Sequence, residues 1–248
     1  MPDVTLLPVP AVSQSGKGAD RFRNDCGAAC VAMLIQAYTS QPVTPDEIFA
    51  RITTQDRYLL ASEMMLALSR ASISTQWWAG LNLGNLFTYL VERKPAIALI
   101  KYGVLRDAGL ASSSFEGPHW VTVIGMDTAT VAINDPLSTG ARPVFIPINT
   151  FLDAWTMVGR DPSVRNPERA AIVPTRQVGD PTQPVPQPAS KSMKVTAWRL
   201  NVRQGPGISY PVVSVLEQGK IVQVVEEKAG WGRLGEGRWS SLAYLMAC

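Results

Sequence analysis

The stretch Asn24-Asp-Cys-Gly-Ala-Ala-Cys-Val-Ala-Met33 decides how this chain is read. Asn24 or Asp25 is suited to cap a helix, and Ala28, Ala29, Val31, Ala32, Leu34 and Ile35 follow as an apolar helical run. Cys26 therefore falls in the first turn, where the positive end of the helix dipole and unpaired N–H groups stabilise a thiolate. Gly27 behind it is expected to let the backbone approach a carbonyl closely, with the Cys26 N–H as one donor to a developing oxyanion. Cys30, one turn further on, sits in the middle of the apolar face and reads as a small buried hydrophobe.

A nucleophilic thiol needs a base, and His119 is the only histidine in the chain. It opens the strand-like run His119-Trp-Val-Thr-Val-Ile-Gly-Met126, which is expected to pair with Thr130–Asn134 in a hairpin turning near Asp127-Thr-Ala129. That pairing brings Asp135 beside the imidazole, where a carboxylate fixes the tautomer and stabilises the imidazolium. Gln14 precedes the cysteine helix, and its amide is the candidate second oxyanion donor. Taken singly, each of these has a plainer reading. A free cysteine is usually core, a histidine is often satisfied locally, Asp135 stands before Pro136 as turn residues do, and Gln14 suits a surface loop.

Outward from this helix, residues 4–12 read as a strand. Thr44-Pro-Asp-Glu47 is a capping box with proline at the first helical position, and helices are expected over 62–71 and 82–93. From Pro95 onward the runs AIALIKY, HWVTVIGM, TVAIND, PVFIPI and AAIVP are short, β-branched and bounded by Gly, Pro, Asp or Asn. Helices followed by an antiparallel sheet indicate an α+β fold. Trp77, Trp78 and Trp120 are expected to pack in the core. Prolines at 181, 184, 186 and 188 mark residues 177–193 as a semi-rigid linker between a first domain at 1–176 and a small all-β domain at 194–248. In the latter, VTAWRLNV, YPVVSVL, KIVQVVEE and WGRLG alternate with glycine turns, and a small barrel is expected.

Composition narrows the function. The chain has 248 residues and 23 basic against 20 acidic side chains without long runs of one sign, so the footprint of a nucleic-acid binder is missing. Three cysteines cannot all pair, and reduced thiols are expected; Cys248 is given no chemical role. One histidine and a Cys-x-x-x-Cys pair do not make a zinc set, and phosphate-binding glycine loops are absent, so neither metal nor cofactor is expected. No apolar run approaches the ~18 residues of a membrane span. The first residues lack the basic and apolar regions of a signal peptide, so synthesis in the cytoplasm is expected, and action at a wall or outside the cell would need lysis or non-standard export.

The segment from Asn24 to Met33 resembles the nucleophile helix of the bacteriocin-leader (double-glycine) branch of papain-like cysteine peptidases. The resemblance spans about residues 4–175 and implies that branch's roles in its chain order: Gln14 as oxyanion donor, Cys26 as nucleophile, His119 as base and Asp135 of Asn134-Asp-Pro136 as its orienter. The segment between Gln14 and Cys26 is longer than in transporter-fused leader peptidases. Leu200-Asn-Val-Arg-Gln-Gly-Pro206, with Tyr210-Pro-Val-Val213, Gly219 and Gly230-Trp231, resembles a bacterial SH3-like domain, which implies a bacterial or phage protein held on a cell wall. Peptidoglycan peptides are then the expected substrate. A processing peptidase for protein or leader peptides is the alternative, and an inactive wall-binding or scaffolding protein is a second one.

Overall fold

The computed structural model describes residues 4–16, 18–19, 25–53, 55, 57–111, 113–138, 143–157, 168–179, 191–235 and 238–247. The chain divides into two compact units, 1–185 and 186–248. Of the expected linker, residues 180–190 lie outside the described residues, and Lys191 already begins a strand of the second unit.

In the first unit three helices precede the sheet: α1 (Cys26–Thr39), α2 (Pro45–Ile52) and α3 (Ala61–Arg70). Helix α2 begins as its sequence dictates. The Thr44 side chain accepts from Glu47 N, the Glu47 carboxylate accepts from Thr44 N, and Pro45 occupies the first turn. Helix α1 is apolar on every side and is buried along almost its whole length, from Cys26 through Ile35 without a break. It packs on the sheet strand Pro118–Met126 and is flanked by α2 and α3.

The remaining elements of this unit are β1 (Thr75–Trp78), α4 (Leu83–Val91), β2 (Ala96–Lys101), α5 (Tyr102–Asp107), β3 (Pro118–Met126), β4 (Thr130–Asn134), β5 (Val144–Pro147), α6 (Ile148–Ala154) and β6 (Ala171–Pro174). Six strands form one antiparallel sheet in the order β1-β6-β2-β3-β4-β5. The arrangement is the α+β fold expected, with β1, α5 and α6 added.

Residues 4–12 do not form a strand. The segment runs extended along β3, held by single bonds such as Leu7 N to Ile124 O at 2.8 Å and Asn134 Nδ2 to Val9 O at 2.9 Å. Pro8 and Pro10 have no N–H, so a continuous ladder is out of reach. Its close approach depends on Gly125. A Cβ there would stand 2.7 Å from Thr5 O and 2.8 Å from Val4 Cγ1.

The second unit is all β: β7 (Lys191–Val195), β8 (Arg199–Arg203), β9 (Val212–Glu217), β10 (Ile221–Val224), β11 (Glu226–Lys228), β12 (Trp231–Gly235), β13 (Arg238–Ser241) and β14 (Leu245–Ala247). Among the described residues the ladders make two sheets, β10-β7-β14 and β11-β12-β13-β8-β9, rather than a closed barrel. Val195, Leu200, Val202, Leu216, Val224 and Leu245 form its core. The run VTAWRLNV is divided: Val195 ends β7, Arg199 starts β8, and the chain turns between the sheets at residues 196–198.

Candidate active site

Strands β3 and β4 are joined by a tight connection that Asp127 stabilises, its Oδ1 accepting from Ala129 N at 2.8 Å and from Thr130 N at 2.7 Å. The register pairs Thr122 with Asn134 and is offset by a bulge between Val123 and Gly125. Asp135 therefore leaves β4 close to the start of β3, where His119 stands. Asp135 Oδ1 lies 2.7 Å from His119 Nε2 and also accepts the Leu137 N–H at 2.9 Å. The hairpin delivers the carboxylate to the imidazole as its sequence implied.

Cys26 is the first residue of α1, and its thiol hydrogen-bonds to the same imidazole. The cysteine is reduced, as is Cys30. Cys26, His119 and Asp135 are all buried. Burial alone pushes the His119 imidazole down. Hydrogen bonds to and electrostatic interaction with Asp135 and Cys26 reverse that effect and raise its pKa to about 9. At neutral pH the ring is thus an imidazolium between a sulfur and a carboxylate.

Gln14 reaches this neighbourhood through its backbone, its N–H donating to Pro136 O at 2.9 Å. Its side chain is half-buried, and its Oε1 has no hydrogen-bond partner among the described residues. A half-turn of the carboxamide exchanges that oxygen for the NH₂ donors. Of the four expected residues, three are joined by hydrogen bonds, and Gln14 is tied to the residue after Asp135.

Three expectations change on this view. Asp25 occupies the N-cap of α1 but makes no side-chain cap bond, and Asn24 lies outside the described residues, as does Cys248. Gly27 also has a packing role. A Cβ there would stand 3.1 Å from Met64 Sδ, 3.2 Å from Leu59 Cβ and 3.3 Å from Trp120 Cδ1. Trp120 is buried, donating Nε1–H to Leu59 O and packing edge-on against Trp77, whereas Trp78 is exposed and stacks on Tyr89. Cys30 is fully buried, and burial pushes its thiol well up, which suits an inert core residue.

Two tyrosines of the site carried no sequence signal. Tyr58, partly exposed, lies close enough to Cys26 for the two to interact electrostatically. The fully buried Tyr102 donates its hydroxyl to Asp135 Oδ2 at 3.0 Å. A cleft of about 300 Å³ opens beside Asp135, lined also by Gly109, Leu110, Ala111, Ser138 and Val144.

The sequence models of known families match both units. One described as Peptidase_C39 like family covers residues 6–163, and one described as bacterial SH3 domain covers residues 198–246. Among solved structures, a putative C39-like peptidase from Bacillus anthracis aligns with a TM-score of 0.52 at 16% identity, over 70% of this chain and 98% of its own. The peptidase domain of Streptococcus ComA, a bi-functional ABC transporter of a quorum-sensing pathway, aligns with a TM-score of 0.48 at 17% identity, over 68% and 99% of the two chains. No curated protein matches the chain.

Proposed function

We propose that this chain, which belongs to the Peptidase_C39 like family and is a cysteine peptidase, hydrolyses amide bonds of peptidoglycan peptides through Cys26, His119 and Asp135. The observation that carries this reading is the single imidazole bonded on one side to the helix-start thiol and on the other, at 2.7 Å, to a buried carboxylate.

In this reading the thiolate of Cys26 attacks the scissile carbonyl carbon and the carbonyl electrons move onto oxygen. The Cys26 N–H and the Gln14 amide stabilise that oxyanion. His119, protonated at neutral pH, gives its proton to the leaving amine as the C–N bond breaks and an acyl-enzyme remains. It then takes a proton from the attacking water, and the released thiolate closes the cycle. Asp135 holds the ring in orientation throughout.

The wall as the place of action is supported by the bacterial SH3 domain at residues 198–246. Residues 186–248 also carry eight basic side chains against four acidic ones, a balance that favours contact with an anionic surface. Tethering there raises the concentration of wall peptides around the first unit.

Incubation with purified peptidoglycan beside a panel of protein and Gly-Gly leader peptides tests the substrate, with Cys26→Ala as control. New amino termini from peptidoglycan are expected. Cleavage confined to the free peptides would replace the wall reading with that of a processing peptidase. Iodoacetamide labelling of Cys26 at an ordinary thiol rate, unaffected by His119→Ala, would favour an inactive wall-binding protein.

A further inference from the structure

We propose that Tyr102 is a positioning residue of the site, its hydroxyl holding the Asp135 carboxylate with Oδ1 toward His119 and drawing part of its charge away from the imidazole. The inference rests on the assignment of Cys26, His119 and Asp135 made above.

Three donors converge on the Asp135 carboxylate. Oδ1 meets His119 Nε2 and Leu137 N, and Oδ2 takes the Tyr102 hydroxyl at 3.0 Å. A carboxylate with a single partner can turn about its Cα–Cβ and Cβ–Cγ bonds. One held at both oxygens from different parts of the chain cannot. Tyr102 is itself fixed, being fully buried, with its N–H donating to Gly117 O at 3.1 Å. It follows directly on the β2–β3 ladder, in which Lys101 pairs with Pro118 and Ile100 with His119. The residue that holds the carboxylate and the residue that uses it therefore stand on adjacent, hydrogen-bonded backbones.

The ring of Tyr102 has a second contact. Its centroid lies 4.8 Å from that of the imidazole at 71°, and Phe115 meets the same imidazole at 6.3 Å and 67°. Two aromatic rings thus confine His119 and keep water from its bond to Asp135. The phenol has an electrostatic signature of its own: burial and the neighbouring carboxylate both push its ionisation well above the usual tyrosine range. It stays a neutral donor throughout the working range of pH. The titratable groups facing His119 are Cys26 from α1, Asp135 after β4 and Tyr102 of α5, with Cys30 interacting with both Cys26 and Asp135 from one turn below.

The chain's one histidine makes this measurable without a substrate, because NMR of histidine-labelled protein reads His119 alone. Tyr102→Phe keeps the ring and removes the donor. The full charge of Asp135 then falls on the imidazolium, and the His119 titration midpoint is expected to rise by about half a unit to one unit, part of the strength of a charge-assisted hydrogen bond. The same change in an Asp135→Asn background is expected to move it by less than about 0.2 unit, since the carboxylate charge is gone. Replacing all tyrosines by the more acidic fluorotyrosine strengthens the donor and is expected to lower the midpoint, a readout that stands even if Tyr102→Phe fails to fold. An unchanged midpoint in Tyr102→Phe with only a lower Tm would make Tyr102 a packing residue. An equal shift in the Asp135→Asn background would likewise overturn the proposal. If the shifts appear and no peptide is cleaved, the peptidase assignment fails while the coupling stands.

Discussion

The two units of this chain differ in where their most exceptional residues gather. The first hides polar groups inside an apolar core: Asp25, His119, Thr122, Asn134 and Asp135 are all buried there. The second exposes apolar groups on its surface, with Trp198 79% and Ile208 82% accessible and Tyr244 and Met246 more than half so. Burying charge is costly unless every partner is supplied, so the first unit must specify its interior group by group. Exposed aromatic and aliphatic groups need no such internal partners. One unit is organised around buried polar groups, and the other leaves large apolar side chains on its surface.

Variants that break one half of this contrast should leave the other intact. Cys26→Ala is expected to have the largest effect, lowering hydrolysis by at least about 10⁴-fold. Its retention on purified walls in a pelleting assay should match that of the native chain. Asp135→Asn, close to isosteric, is expected to cut turnover by about 10³-fold while circular dichroism stays native. The pH profile sharpens the same point. In the proposed mechanism His119 must be protonated to release the amine, so activity should fall about fivefold between pH 9 and pH 10, just above its pKa of about 9. Stability follows the same sign. The imidazolium's contribution is complete below the unfolded pKa of about 6.5 and is lost as pH rises through about 9, so thermal melting should begin to drop across that window.

In the second unit, Trp198→Ala is expected to weaken the proposed wall retention about fivefold, with Tm and the hydrolysis of short soluble peptides unchanged, because the side chain is 79% exposed. The smallest effect belongs to packing. Gly27→Ala crowds Met64, Leu59 and Trp120 but improves helix propensity, for a net loss of about 1 kcal/mol, read as a Tm a few degrees lower. A substrate-specific collapse of activity in Gly27→Ala with no change in Tm would support the idea that this glycine makes room for a carbonyl.

Much of the site was legible because its signals are local. The helix start at Cys26, the capping box at Thr44 and the hairpin that carries Asp135 to His119 each depend on residues within a few positions of one another or on a two-residue alternation. Tyr102 was not legible because its partner lies 33 residues away and is reached only through the β2–β3 register. The packing around Gly27 was not legible for a related reason: the flanking cysteine suggests backbone access, while Leu59, Met64 and Trp120, which close on it, lie far from it in the chain. Residues 4–12 alternate well enough for a strand, but their prolines leave too few donors for a ladder. The β-rich tail was recognised as a small SH3-like domain, yet whether its edges join is decided by bulges and corners that short strands do not encode.

The hairpin that joins His119 to Asp135 has a consequence in time as well as in space. Its two partners are 16 residues apart and can meet as soon as a tight turn closes, whereas Cys26 must find His119 from 93 positions away. During folding the imidazole and its carboxylate are therefore expected to pair early and the sulfur to join them late. In pulse-labelling during refolding, amide protection in β3 and β4 should precede the rise in Cys26 alkylation rate. A newly made chain would then carry an ordinary thiol until its core has closed, and would be harmless to its neighbours for as long as it remained unfinished.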